Sequence, residues 1–93
     1  MEDQYPINRQ LLLRDRETGE LKPLFAGVGL PFALDDGRDF CCKVYISQGI
    51  LKPTMIYGID ALQATSLAIG TIDKLLQRAQ DNGDLFWSSG EPY

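Results

Sequence analysis

From Phe40 to Ser47 the chain alternates strictly. Phe40, Cys42, Val44 and Ile46 fall on one side of an extended backbone, and Cys41, Lys43, Tyr45 and Ser47 on the other. A period of two with one apolar side predicts a half-buried strand over 39–47. The period changes after Tyr57-Gly58. Ala61, Leu62, Ala64, Leu67, Ala68, Ile69, Ile72, Leu75, Leu76 and Ala79 recur in steps of three and four, which predicts an amphipathic helix over 61–81 with Leu62 at the start of its buried stripe. Asp60 is placed to cap that helix, with Gln63 three residues on as in a capping box, and Asn82-Gly83 supplies a left-handed stop.

Weaker patterns fill the rest. Residues 7–15 predict a strand with Leu11 and Leu13 on one face and Gln10, Leu12 and Arg14 on the other. Arg16-Glu17-Thr18-Gly19 is a turn, residues 20–30 a second strand ended by Pro31, and Asp35-Asp36-Gly37 a reversal. Residues 53–58 predict a fourth strand and 85–88 a short final one, with loose tails over 1–6 and 89–93. The sum is one α+β domain over 1–93. Its antiparallel sheet has four to five strands in a meander, and one long C-terminal helix packs on one face.

Composition changes this picture little and limits function more. Apolar residues make up 44% and charged residues 24% of the 93, as in an ordinary globular domain. At this size roughly 64% of the unfolded chain's surface is buried on folding, enough for one core without staples. Nine basic residues face 13 acidic ones and gather into no stripe, so neither nucleic acid nor an anionic membrane surface is an expected partner. No apolar run approaches the roughly 18 residues that span a membrane, and the polar N-terminus is not a signal peptide. The expected location is the cytoplasm.

The residues that could carry chemistry read as structure. The chain has no histidine, which removes the commonest acid–base and metal-site designs. Cys41 and Cys42 are adjacent and lack metal-binding partners, so they read as small buried side chains in a reducing compartment. Asp35, Asp36 and Asp39 fall short of a calcium loop and suit a turn. Gly27-Val28-Gly29 lies within a strand, the opposite context to a phosphate loop. Ser88-Ser89-Gly90 and Thr65-Ser66 have no base to activate them. Asp60 fits a cap better than a catalytic carboxylate. No cofactor, metal or catalytic residue is expected.

Tyr57-Gly58-Ile59-Asp60-Ala61-Leu62-Gln63-Ala64, continuing through Leu67-Ala68-Ile69, resembles a family of small bacterial domains of unknown function. Their strand ends in a Gly-hydrophobic-Asp step, and their helix begins with Leu-Gln-Ala. Phe40-Cys41-Cys42-Lys43-Val44-Tyr45-Ile46 resembles the same family's cysteine-bearing strand. The resemblance covers about residues 24–88. It implies a fold and a bacterial origin, and no activity.

A single helix covers one face of a sheet. The other face is expected to carry Leu12, Phe25, Cys41, Tyr45 and Ile56 among Gln10, Arg14, Lys43 and Thr54, more apolar than a solvated face usually is. The first expectation is therefore a non-catalytic interaction or accessory module acting through that face, on another protein or on itself as a homodimer. The second is a ligand-binding domain or enzyme with a pocket between helix and sheet, rimmed by Tyr57, Asp60 and Trp87. The third is a structural subunit of a larger assembly.

Overall fold

The computed structural model describes residues 4–93. Strands β1 (Ile7–Arg14), β2 (Leu21–Val28), β3 (Phe32–Ala33), β4 (Phe40–Ile46) and β5 (Leu51–Gly58) precede helix α1 (Ala61–Asp81) and a last strand, β6 (Leu85–Phe86). All pairings are antiparallel. β1, β2, β4 and β5 form the expected meander. The helix then carries the chain back across the sheet, and β6 adds to the far side of β1.

Turn chemistry sets the first hairpin. The Asp15 carboxylate accepts the N–H groups of Glu17 and Thr18 and pairs with the Lys22 ammonium at 3.0 Å, while Gly19 takes φ +75°. β2 does not simply end at Pro31. Its path continues along β4, with the Gly29 N–H donating to the Lys43 carbonyl and Phe32 lying opposite Cys41. β3 is thus a short resumption of β2 after a bend, which single-strand patterning missed.

The junction after β5 works as its residues imply. Asp60 is extended, and its Oδ1 accepts the Gln63 N–H at 2.7 Å; the Gln63 Oε1 accepts the Ile59 N–H at 2.8 Å. The first bond uses a donor that the helix start leaves unpaired; the second reaches the residue before the cap, one short of the N–H that a capping box takes. A Cβ on Gly58 would lie 2.4 Å from the Ala64 nitrogen, so glycine lets the first turn pack onto the strand.

The core lies between α1 and the sheet. Leu11, Leu24, Ala26, Val28, Cys42, Val44 and Ile46 meet Ala64, Ala68, Ile72 and Leu76, with Leu85 closing one end. This stripe is narrower than the sequence predicts. Leu62 does not begin it but is 80% exposed, and Leu67 and Ile69 are exposed as well. At about 100° per residue, Leu62 sits about 160° around the helix from Ala64, nearly opposite it.

Two further expectations are corrected. Ile56 does not face away from the helix: register pairs it with Cys42, on the core side, and it packs against the core. Thr54, paired with Val44, lies on the same side, so Met55 and Tyr57 take their places on the other face. The ends of the chain are also not loose throughout. Tyr5 is only 2% exposed. Tyr93 accepts from the Arg9 guanidinium through its hydroxyl, while its N–H donates to the Leu85 carbonyl at 3.0 Å. Residues 1–3 of the expected N-terminal tail lie outside the described residues.

Candidate functional site

The sheet face turned away from α1 carries Leu12 of β1, Phe25 and Gly27 of β2, Phe32 of β3, Cys41, Lys43 and Tyr45 of β4, and Met55 and Tyr57 of β5. Four of the five residues expected there from sequence are present: Leu12, Phe25, Cys41 and Tyr45. Phe25 and Tyr45 fall in one region and Cys41 in another, while Leu12 lies toward the far edge opposite Phe86.

In the first region the chain covers itself. Tyr5 stacks on Tyr45 with centroids 5.6 Å apart and meets Phe25 edge-on at 6.2 Å. Gly27 makes this fit. A Cβ there would come within 2.5 Å of the Tyr5 Cβ and 2.7 Å of the Phe25 ring. The Asn8 amide holds the segment by donating to the Tyr5 carbonyl at 2.9 Å. Burial, and secondarily the neighbouring Tyr45, push the Tyr5 hydroxyl above its ordinary pKa. The only sequence signal for this arrangement was the glycine pair at 27 and 29, which reads as close packing without naming what packs.

The second region is bare of any such cover among the described residues. Cys41 is fully buried, flanked in register by Phe32 on one side and Tyr57 on the other. Phe32, Met55 and Tyr57 are 43%, 40% and 58% exposed, and among the described residues no segment lies over them as Tyr5 lies over Tyr45. Leu30, before β3, is also exposed. Burial and the adjacent Cys42 push the Cys41 thiol up, away from the thiolate needed for nucleophilic or metal chemistry. Cys42 faces the other way, with its sulfur 3.6 Å from the Thr65 hydroxyl.

The edge beside this patch has a defined polarity. The Gly29 and Ser47 N–H groups donate to Lys43 and Phe25 carbonyls, so the odd-numbered residues of β4 direct their main-chain groups toward β2 and β3. The even-numbered ones face β5, where they pair with Thr54, Ile56 and Gly58. The main-chain N–H and C=O groups of Met55 and Tyr57 therefore point outward, along the free edge of the sheet.

Other candidates resolve into structure. Asp36 accepts the N–H groups of Arg38 and Asp39 within a turn. Phe86 lies under the Arg14 guanidinium at 4.8 Å, and Trp87 packs on Tyr93 at 4.9 Å beside Arg9. The aromatics Tyr45, Tyr57, Phe86 and Trp87 thus do not converge on one pocket. Among the described residues no three His, Cys, Asp or Glu side chains are grouped to hold a metal. A cleft of about 220 Å³ does open between α1 and the sheet, lined by Ile7, Ala26, Val28, Ile69, Ile72 and Leu76 with Arg9 and Asp73. Tyr57, Asp60 and Trp87 do not line it, although Arg9, which does, lies over the Trp87 ring.

No family model matches the chain, and no curated protein or solved structure matches it.

Proposed function

We propose that this domain is a non-catalytic interaction module whose partner seats on the bare region of the sheet. The observation that supports this is the exposure of Phe32, Met55 and Tyr57 together, around a fully buried Cys41, on a face whose other half the chain covers with its own Tyr5. Contiguous exposed apolar surface costs solubility unless it meets something. The bacterial, cytoplasmic setting is part of the same proposal and leans on the likeness of the Tyr57–Ala64 junction.

The cleft beside α1 supports a small-ligand reading less well. Its volume of about 220 Å³ is below the roughly 300–1,000 Å³ of drug-sized ligand sites. Among the described residues no helix is long and apolar enough to cross a membrane.

A photo-reactive residue placed at Phe32, and separately at Gln77 on the exposed side of α1, tests the proposal in cells. Discrete adducts from position 32 and none from position 77 are expected. Equal adduct patterns from both positions, or none from either, overturn it.

A further inference from the structure

The two edges of the sheet are finished differently. On one side β6 is two residues long, and the chain turns over it. Phe86 forms a bridge with Pro92, and the Trp87 N–H donates to the Glu91 carbonyl at 2.8 Å. On the other side β5 runs for eight residues, with a register shift near its start, and among the described residues nothing pairs with its outer edge. Natural edge strands are guarded by charge, proline or brevity. Lys52 and Pro53 guard only the start of β5; Thr54-Met55-Ile56-Tyr57-Gly58 has neither charge nor proline.

We infer that β5 pairs antiparallel with β5 of a second copy of this chain, centred on Ile56, to make one continuous sheet through a two-fold axis. The inference rests on the interaction-module reading and narrows its partner. Outward-pointing N–H and C=O groups at alternate residues are satisfied by another extended strand. A register centred on Ile56 uses all four such groups of Met55 and Tyr57. Met55 lies opposite Tyr57 of the second copy and exchanges both hydrogen bonds with it, and Tyr57 does the same with the second Met55. Pro53, which has no N–H, falls opposite Ile59, whose own N–H is already committed to the Gln63 Oε1. A register centred on Met55 makes the same number of main-chain bonds, leaving the Tyr57 carbonyl without a donor where the Ile56 register leaves that of Pro53, so main-chain bonding does not separate the two.

Charge favours the register centred on Ile56. Lys52 is one of two β5 residues opposite Tyr45 where the β4–β5 register shifts, and this register brings it near the Ile59-Asp60 step of the other copy, so exposed groups of opposite charge adjoin twice about the axis. On the solvent side of the sheet, the half-exposed Met55 and Tyr57 side chains become cross-strand neighbours of their counterparts, a thioether–aromatic pairing. The bare region of one copy thereby becomes continuous with that of the other.

Sedimentation equilibrium of the full chain, with variants, tests this. The wild type is expected to sediment as a reversible dimer. Met55→Pro removes an outward N–H that makes no bond within the sheet, and is expected to give a folded monomer by circular dichroism. Should that variant misfold, Lys52→Glu serves instead, with the dimer Kd expected to rise about tenfold and to recover in part in Lys52→Glu/Asp60→Asn. Register is read by cysteine cross-linking. Facing residues of a pair without main-chain bonds lie close enough for a disulfide, so Ile56→Cys is expected to oxidise to a covalent dimer and Thr54→Cys is not.

A chain that stays monomeric at millimolar concentration overturns the inference, as does a dimer that persists in folded Met55→Pro. Efficient cross-linking through Thr54→Cys instead of Ile56→Cys overturns the register and with it the Lys52–Asp60 contact. If the purified chain is monomeric yet position 32 still forms adducts with another protein in cells, the module reading stands and the self-pairing fails.

Discussion

The two halves of the outward sheet face start from similar materials and finish differently. Over Phe25, Gly27 and Tyr45 the chain supplies its own cover, and Tyr5 lies buried in a stack. Over Phe32, Cys41, Met55 and Tyr57 none of the described residues does so. The difference lies in the floor. Where a glycine removes one side chain from the strand, a tyrosine ring from elsewhere in the chain can descend onto the backbone. Where every position carries a side chain, the small Cys41 is filled in by its flanking neighbours, and their outer surfaces remain in water. An apolar surface covered from within works as core, whereas one left open is available to a partner.

Breaking the covered half produces the largest expected effects. Tyr5→Ala removes the cover and is expected to cost about 3 kcal/mol by urea denaturation, with new binding of a hydrophobic dye to the exposed Phe25 and Tyr45. A loss below about 0.5 kcal/mol would mean that Tyr5 lies on the sheet without stabilising it. Gly27→Ala comes next. Its Cβ would sit 2.5 Å from the Tyr5 Cβ, too close to coexist, so Tyr5 must shift. About 2 kcal/mol is expected from such overpacking. Alanine keeps the Cβ that Gly27→Ala would strike, so the cycle uses glycine: Tyr5→Gly/Gly27→Ala should cost less than the sum of its single changes. Additive losses would show that Gly27 answers to something other than Tyr5.

The same stack sets a pH dependence. Tyr5 has a folded-state pKa above its ordinary value, from burial and from Tyr45. Its contribution is therefore fully present below the unfolded value near 10 and is lost as pH rises through the folded one. Stability measured from pH 8 to pH 11 is expected to fall more steeply in the wild type than in Tyr5→Phe, which has no hydroxyl to ionise. Lys22 and Cys41 are shifted upward too, but both are common to the two proteins and cancel in the comparison. Parallel curves would place the Tyr5 hydroxyl in water.

How much of this was legible in the sequence follows from the range of each interaction. The helix start was readable because Asp60, Gln63 and Gly58 act on neighbours within a few residues. β4 was readable because its alternation is strong. The face of Ile56 was not, because a single short strand does not fix its own register; the pairing with Cys42 across β4 does. The exposure of Leu62 was misjudged because apolar spacing by threes and fours admits more residues than one helix face can bury. Tyr5 was missed altogether. Its partners lie 20 residues and more along the chain, and a lone tyrosine in a polar segment has no periodicity to reveal it. The bare patch was anticipated as a face. Its members Phe32, Met55 and Tyr57 emerged only with the register.

The smallest expected effect belongs to the bare half, and it makes the comparison sharpest. Tyr57 is 58% exposed and stacks on no other ring in the way that Tyr45 stacks on Tyr5. Tyr57→Ser should therefore change the unfolding free energy of the isolated chain, at concentrations too low for association, by no more than about 0.5 kcal/mol. Tyr45→Ser, one strand away on the same face, removes the ring beneath Tyr5 and should cost several times as much. If Tyr57→Ser proves as damaging as Tyr45→Ser, the tyrosine is holding Cys41 in place as core, and the two halves of the face are alike after all. If it is silent in dilute solution, the ring contributes nothing the folded monomer needs. Its apolar surface is then left free for the proposed contact with a second molecule.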